Sequence, residues 1–236
     1  MSFGDVALGI ASVVLGIHQL RKGARHLSAA GARPAQRSDL RGLQAPFASS
    51  GRKTVSPPNG KDVSMRMQSY NIRTLDDRIA HLRRLIDQGK RDPQVYAFVR
   101  RATSARCGND WCVPEKDNLG EARAVFAALR KNVRYTSDIA GVDTYQKPAH
   151  TVALQAGDCD DYSTLTCAAL GALGIPARLK VIRTKDADDW NHIYPQAGFP
   201  RGNPQRWVSM DSSVNMPFGW EAPRKMVAAS RVFRVG

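Results

Sequence analysis

The segment around Cys159 constrains this 236-residue chain more than any other stretch of its sequence. Residues 157–162 read Gly-Asp-Cys-Asp-Asp-Tyr, and apolar residues follow at helical spacing until Gly174 and a nearby proline stop the helix. Asp158 suits the N-cap position, and Asp161 suits the third helical position of a capping box. Cys159 is therefore predicted in the first helical turn, where unpaired N–H groups and the helix dipole favour a thiolate.

Acidic neighbours oppose this effect of the helix. The carboxylates of Asp158, Asp160 and Asp161 repel a negative charge on the sulfur and so disfavour the thiolate. A positively charged imidazole beside the thiol is therefore needed to stabilise the thiolate.

Two later segments supply an imidazole and a carboxylate. Residues 177–182 mostly alternate apolar and polar side chains, which predicts a strand leaving the helix. After a polar loop, residues 191–194 are predicted as a short strand that carries His192, and residues 207–211 as another that carries Asp211. On neighbouring antiparallel strands these two side chains can face each other, so the carboxylate would orient the imidazole and stabilise its charged form.

The order Cys159, His192, Asp211, with these flanking residues, resembles the transglutaminase-like superfamily of papain-type thiol enzymes. The resemblance covers about residues 118–220, and the Gly-Asp-Cys-Asp-Asp form is most similar to small bacterial and bacteriophage-encoded members. It implies an α+β fold with a papain-like core, in which the helix that begins with the cysteine packs on an antiparallel sheet carrying the histidine and the aspartate. It also implies catalysis by these three residues, which would make the chain a cysteine peptidase or amidase.

The resemblance leaves the reaction open between three alternatives. Cys159 would attack an amide carbonyl, His192 would take and return the proton, and Asp211 would hold the imidazole. With water as the acceptor the protein is a hydrolase of peptide or isopeptide bonds, and with a lysine amine it is a cross-linking transglutaminase. Small microbial members favour hydrolysis, while a structural or assembly protein with a vestigial triad is the competing class.

Further site residues are predicted around the triad. Family members stabilise the oxyanion with a side chain upstream of the cysteine, and Gln155 is the nearest candidate, although its spacing differs from that of the papain-type glutamine. Trp190, Tyr194 and Trp207 are predicted to line the substrate cleft and grip an extended peptide. No cofactor and no metal site is expected, since the sequence contains no calcium-loop pattern of acids around a central glycine.

The other cysteines are predicted to have structural roles. Cys107 and Cys112 bracket a four-residue turn, and a zinc site would need two more ligands that no second cysteine pair supplies. A local disulfide would form outside a reducing cytosol, but two free thiols are the favoured state. Cys167 lies two helical turns after Cys159, on the predicted apolar face, and is expected in the core.

Three segments of different character divide the chain. Residues 1–24 contain an apolar run that is too short for a membrane span of ~20 residues and whose charges follow it, unlike a signal peptide, so a docking helix is predicted. Residues 25–62 form a basic, low-complexity linker that could not build a core. Residues 63–236 are the catalytic domain, in which Asn118 and Glu121 predict a capping box for a helix packed on the cysteine helix.

The formal net charge of +14 favours anionic partners such as nucleic acid, acidic cell-wall polymers and anionic lipid. No nucleic-acid motif accompanies this charge and only 7% of residues are aromatic, so sequence-specific base reading is not indicated. Together with the resemblance, these features predict a phage or prophage virion protein, made in the bacterial cytoplasm and associated with the tail or the genome-delivery machinery. Its docking helix would contact other virion proteins or a membrane surface, and its substrate would be a peptide or host peptidoglycan.

Overall fold

The computed structural model describes residues 53–55, 63–65, 68–139 and 142–235. The predicted docking helix at residues 1–24 and most of the predicted linker lie outside the described residues. Strand β1 (Lys53–Val55) pairs antiparallel with β2 (Val63–Met65), so the predicted boundary at residue 63 falls within this strand pair. The division into three segments otherwise stays a prediction.

The described part of the chain after β2 consists of helices followed by a sheet, as expected for the α+β class. Among these described residues, no helix has both the length and the apolar character needed to cross a membrane. The elements run in chain order as α1 (Leu75–Gly89), α2 (Pro93–Thr103), β3 (Arg106–Cys107), β4 (Asp110–Trp111), α3 (Asn118–Asn132), β5 (Arg134–Tyr135), α4 (Pro148–Leu154), β6 (Ala156–Gly157), α5 (Cys159–Ala172), β7 (Ala177–Thr184), β8 (His192–Phe199), β9 (Arg206–Ser209), a 3-10 turn (Arg224–Met226) and β10 (Val227–Val235).

Helix α5 is the centre of the structure. It packs against α1, α2, α3 and α4 on one side and against the sheet on the other, which confirms the predicted contact between α3 and the cysteine helix. Every residue from Asp160 to Leu170 is buried, because the helix has no continuous polar face that could meet water. Its hydroxyl groups bond to carbonyls instead, as in the bond from Thr164 Oγ1 to Asp160 O (2.7 Å). Burial on all sides fixes where the N-terminus of α5 lies.

The main sheet is antiparallel, with strand order β10-β7-β8-β9. One face, which includes Leu179 and Ile193, joins the hydrophobic core beneath α5. Strand β8 runs five residues beyond the predicted end at residue 194, since Pro195 does not interrupt it: the Pro195 carbonyl still accepts a hydrogen bond from Met210 N (2.9 Å). Strand β9 ends before Asp211, which therefore lies just past the strand and not within it.

The helix termini follow the predicted capping signals with one correction. Thr74 and Asp77 form a capping box at the start of α1. The N-cap of α3 is Asp117, not the predicted Asn118, and its carboxylate accepts a hydrogen bond from Gly120 N (2.8 Å). Because a side chain at Gly120 would overlap this carboxylate, the glycine allows the aspartate to approach the helix.

The expectation of two free thiols before α3 is wrong. Cys107 and Cys112 form a disulfide that closes the hairpin of β3 and β4, with 4.9 Å between their Cα atoms. Gly108 turns the hairpin with a positive φ of 67°, and this conformation brings the two strands together. On the same hairpin the Arg106 guanidinium lies 3.8 Å from the centre of the Trp111 ring. The free thiols among the described residues are Cys159 and the buried Cys167.

Candidate active site

The candidate nucleophile is the first residue of α5. Asp158 is the N-cap, and its Oδ1 accepts hydrogen bonds from the backbone N–H groups of Asp160 (3.0 Å) and Asp161 (3.2 Å). The Asp161 side chain bonds back to the N-cap backbone, so the predicted capping box is present. A side chain at Gly157 would overlap Asp161, which explains the glycine at the start of the motif. Cys159 itself is half-buried and forms no disulfide.

The histidine and the aspartate predicted for the triad lie side by side. His192 is the first residue of β8, and its Nε2 lies 2.6 Å from Oδ2 of Asp211. The other oxygen, Asp211 Oδ1, accepts a hydrogen bond from Ser213 Oγ (2.6 Å), so both carboxylate oxygens are engaged. Asp211 is 4% exposed, and its low exposure strengthens the interaction with the imidazole. The pairing leaves Nδ1 as the ring nitrogen available for a proton from the thiol.

Cys159, at the start of α5, lies close to the first residues of β8. The backbone of Ile193, the residue after His192, hydrogen-bonds to the thiol. Helix and strand are tied together at this point, because Ser163 Oγ donates a hydrogen bond to the Ile193 carbonyl (3.1 Å). The charge of Asp211 also acts on the thiol, so the three predicted residues share one neighbourhood.

The surroundings of the sulfur favour the neutral thiol. Burial raises the pKa of the Cys159 thiol well above its usual value, and the charges of Asp160 and Asp158 raise it further. The bond from the Ile193 backbone acts in the opposite direction. Burial and the flanking acids thus outweigh the predicted effect of the helix N-terminus, and the resting thiol keeps its proton.

The imidazole is set up to take this proton. Burial lowers the pKa of His192, but the charge and hydrogen bond of Asp211 outweigh burial, and Asp160 adds to their effect. The net result is a raised pKa, and the imidazolium formed during the reaction is stabilised. A neutral thiol beside an imidazole of raised basicity suits proton transfer during nucleophilic attack on an acyl group.

The start of α5 concentrates three carboxyl groups, of which those of Asp160 and Asp161 are buried. Burial raises the pKa of Asp158 to about 9, that of Asp160 to about 6 and that of Asp161 to about 7, with mutual repulsion as a further cause. A carboxylate oxygen of Asp158, the Cys159 sulfur and a carboxylate oxygen of Asp160 all lie within 4.8 Å of one another. A cation at this point would rest on the nucleophile itself, so these atoms are the surroundings of the reacting sulfur and not a separate centre.

Helix α1 contributes a charged residue that the sequence did not reveal. Arg78 Nη2 lies 3.1 Å from Asp143 Oδ2, and its guanidinium also hydrogen-bonds to the Tyr145 side chain. The charge of Arg78 lowers the pKa of Asp160 against the effect of burial. No local pattern distinguishes Arg78 among the 35 basic residues of the chain, and only the packing of α1 on α5 brings it to the site.

Gln155, the predicted oxyanion residue, ends helix α4. It adopts a left-handed conformation (φ 55°), and its carbonyl accepts a hydrogen bond from Arg134 N (2.8 Å). No hydrogen bond of its side chain to the site is found among the described residues. Tyr135 does interact with this region: burial raises the pKa of its phenol, and the charges of Cys159 and Asp158 raise it further. In the sequence, Tyr135 is marked only by its position shortly after the helix that ends at Asn132, in the short strand β5.

The predicted rim of aromatic residues is partly wrong. Tyr194 is 1% exposed, so it does not line an open cleft; its ring lies 5.7 Å from that of His192 on the same face of the sheet. The chain after β9 covers this face, where Glu221 accepts hydrogen bonds from Lys180 Nζ and Ser209 Oγ, each at 2.7 Å. The two tryptophans, Trp190 and Trp207, are half-buried.

Trp207 and Trp190 have different surroundings. The Arg178 guanidinium lies 4.2 Å from the centre of the Trp207 ring. Trp190 packs against the hydrophobic core directly before His192 in the chain. Both tryptophans are partly exposed, unlike Tyr194, so a substrate contact of Trp190 or Trp207 stays a prediction.

Comparison with solved structures finds relatives at low identity. A protein of Cytophaga hutchinsonii described as a candidate cysteine protease is 18% identical over 60% of this chain and 52% of its own, with a TM-score of 0.33. LapG of Legionella pneumophila is 16% identical over 66% of this chain and 77% of its own, with a TM-score of 0.36. A structure described as a TGase is 18% identical over 65% of this chain and 37% of its own, with a TM-score of 0.32. The match to the first of these proteins spans about half of its length.

Comparison at the level of sequence gives the family. No curated protein matches the chain. Residues 106–212, from the disulfide hairpin to just beyond Asp211, match the transglutaminase-like superfamily. This region contains the helix that begins with Cys159 and the paired side chains of His192 and Asp211. Residues 106–212, which hold this core, therefore belong to the transglutaminase-like superfamily.

Proposed function

We propose that the protein is a thiol hydrolase that cleaves peptide or isopeptide amide bonds through Cys159, His192 and Asp211. The observation that carries this proposal is the 2.6 Å contact between His192 Nε2 and Asp211 Oδ2 beside a half-buried cysteine. An imidazole held by a buried carboxylate, next to a thiol at a helix N-terminus, is an arrangement for nucleophilic catalysis. Stability of the fold alone does not require a buried carboxylate and a partly accessible thiol in the same place.

The reaction follows from the positions of these groups. Cys159 Sγ attacks the amide carbonyl carbon while His192 Nδ1 takes the thiol proton, and the imidazolium then protonates the leaving amine as the C–N bond breaks. Water, deprotonated by the same imidazole, attacks the thioester and releases the acid, and the proton returns to the sulfur. Asp211 stabilises the imidazolium in both steps.

Two donors are proposed for the oxyanion. The capping box uses the backbone N–H groups of Asp160 and Asp161, which leaves that of Cys159 outside it. A negative charge on Cys159 raises the pKa of the Tyr135 phenol, so this phenol would keep its proton and could donate it in a hydrogen bond. A backbone N–H together with a phenol would stabilise the tetrahedral intermediate.

The biological setting is part of the same proposal. The Gly-Asp-Cys-Asp-Asp form resembles that of phage-encoded members, and this resemblance supports a virion protein of the tail or genome-delivery machinery, made in the bacterial cytoplasm. Residues 1–24 would attach the protein to other virion proteins. The net charge of +14 supports contact with acidic polymers, and the substrate would be a stem peptide of host peptidoglycan or a virion protein.

A cross-linking transferase is the second candidate, and one observation favours it. The net charge of the chain argues against lysine side chains as acceptors, but the groups flanking the thiol are carboxylates, which attract an amine. An amine that intercepts the thioester before water does would give an isopeptide bond in place of an acid. A scaffold that has lost activity is the third alternative, because the raised pKa of the thiol makes an unassisted sulfur unreactive.

One experiment separates these three alternatives. Wild-type protein and the Cys159→Ala variant are incubated with a thiol-directed electrophilic probe, a library of glutamine-containing peptides and a fluorescent primary amine. Labelling of Cys159 together with peptide fragments bearing new amino termini indicates a hydrolase, while amine incorporation without fragments indicates a transferase. A folded wild-type protein that shows neither activity and no labelling of Cys159 refutes the hydrolase and the transferase and indicates the inactive scaffold.

A further inference from the structure

The charge around the nucleophile is opposite in sign to the charge of the chain. The chain carries a formal net charge of +14, yet the charged groups that act on Cys159 and its flanking acids are mostly carboxylates. The cations among these groups are Arg78 and His192. The carboxyl groups are Asp138, Asp143, Asp158, Asp160, Asp161 and Asp211.

Asp160 is the carboxyl group of this set for which the described part of the chain supplies no side-chain hydrogen bond. It is 6% exposed, and its Oδ1 has no hydrogen-bond donor within reach among the described residues. One of its carboxylate oxygens lies within 4.8 Å of Cys159 Sγ. A buried carboxyl group without a hydrogen bond destabilises the fold, so its presence beside the reacting atom points to a ligand that completes its bonding.

The neighbouring acids are already engaged. Asp158 caps α5, and Asp161 accepts hydrogen bonds from Gln146 N and Gln146 Nε2, both at 2.8 Å. Arg78 is the cation that lowers the pKa of Asp160 most. Its guanidinium is nevertheless held by Asp143 (3.1 Å), and it forms no ion pair with Asp160 among the described residues. The negative charge of Asp160 is therefore left for a group that enters with the substrate.

We propose that the site selects substrates that carry a positively charged group next to the amide bond to be cleaved, with Asp160 as the specificity-determining residue. This group would be the ammonium or guanidinium of a basic residue, or a free amino group. It would lie beside Cys159 Sγ when the carbonyl carbon is within reach of the sulfur. The inference rests on the proposed function, since it names the substrate class of the same site. Peptides with lysine beside the scissile bond are then better substrates than the matched glutamine peptides, and glutamate peptides are the poorest.

Charged thiol reagents test the inference without requiring catalysis. Three methanethiosulfonates with the same reactive group carry a trimethylammonium, a methyl or a sulfonate substituent, and a short unstructured cysteine peptide corrects for their intrinsic reactivity. Cys159 is expected to react about tenfold or more faster with the cationic than with the anionic reagent at low ionic strength. The ratio is expected to fall at 0.5 M salt, where the Debye length is only about 4 Å.

Two variants and one matched control assign the effect to Asp160. Asp160→Asn removes a negative charge beside the sulfur and is expected to reduce the corrected ratio of cationic to anionic reaction rates severalfold. Arg78→Gln removes a positive charge and is expected to increase this ratio. Asp87→Asn also removes a carboxylate, but from the surface pair of Asp87 with Lys90 (2.7 Å), and is expected to leave the ratio unchanged. If a variant fails to fold, the ratio and its salt dependence in wild-type protein still decide the matter.

Each outcome has one reading. Equal rates in wild-type protein, or a ratio that Asp160→Asn leaves intact, overturn the inference. A preference that appears only after chelation with EDTA means that a divalent cation occupies the acids, which overturns it as well. A cationic preference without any peptide cleavage upholds the charge inference while the hydrolase proposal fails, and a Cys159 that reacts with none of the reagents refutes both.

Discussion

His192 Nε2 lies 2.6 Å from Asp211 Oδ2, and this contact assigns different roles to the two nitrogens of the imidazole ring. The bonded nitrogen is held by a carboxylate that also accepts a hydrogen bond from Ser213, so the ring cannot rotate without losing a charge-assisted bond. The other nitrogen is left for the thiol. The pair therefore determines both the orientation of the general base and its basicity.

Asp211→Asn is expected to lower kcat/KM by about 10³- to 10⁴-fold, as in other triads that lose their carboxylate. The carboxylate raises the pKa of His192, so its loss lowers this pKa and moves the acid limb of the pH–rate profile to lower pH. The measurement is kcat/KM between pH 5 and 9. Ser213→Ala removes a single bond to the same carboxylate and is expected to cost only roughly tenfold. An acid limb that stays in place in Asp211→Asn would contradict the assigned role.

Asp160→Asn is expected to stabilise the protein at pH 8. Burial raises the pKa of Asp160 from 3.8 to about 6, so the folded state favours the protonated acid. The stabilisation by this protonated acid is fully present below pH 3.8 and is lost as the pH rises through 6. At pH 8 the ionised acid therefore lowers the free energy of unfolding by roughly 3 kcal/mol relative to its value at low pH. Unfolding in urea should show the variant to be more stable at pH 8 and equal to the wild-type protein near pH 4. A variant less stable at both pH values would show that Asp160 has a partner in the folded state.

Gly157→Ala is expected to destabilise the start of α5. The new Cβ would overlap the Asp161 side chain and break the capping box, which costs about 1–2 kcal/mol. Activity should fall as well, because the same turn positions Cys159. Gly202→Ala is the matched control, since a Cβ at that position meets nothing within 4 Å. Equal melting temperatures for the two variants would show that the overlap is relieved without loss of the cap.

The disulfide between Cys107 and Cys112 is expected to contribute modestly to stability and nothing to catalysis. Because the loop that it closes is short, the loss of chain entropy predicts about 2 kcal/mol. The hairpin is exposed, and no contact joins it to Cys159 among the described residues. The double variant Cys107→Ala, Cys112→Ala should therefore melt at a lower temperature and retain its reaction rate with a thiol probe. A fall in that rate would place the hairpin in the site.

Local signals were enough to predict most of the fold. The capping box of α5, the alternation in β7 and the order of thiol, imidazole and carboxylate each depend on residues close in the chain, where spacing determines geometry. These signals predicted the helix that begins with Cys159, the sheet and the placement of His192 near Asp211. The net charge of +14, by contrast, does not reveal how charge is distributed, and it does not predict that mostly carboxylates surround Cys159.

The errors concern contacts between distant segments. Tyr194 was expected on a cleft rim, but the chain around Glu221 returns across the sheet and buries it. The contribution of Arg78 depends on how α1 packs against α5, which no motif within α1 encodes. The disulfide was left aside because the expectation rested on the redox state of the compartment, whereas the hairpin geometry brings the two cysteines together.

The release of peptide fragments tests the central claim most directly. Wild-type protein, Cys159→Ala and the control Cys167→Ala, which alters a buried thiol far from the surface, are incubated with a peptide library, and new amino termini are counted by mass spectrometry. The proposed function predicts fragments from the wild-type protein and from Cys167→Ala, and none from Cys159→Ala. Equal release by Cys159→Ala, or no release by folded wild-type protein, would contradict it.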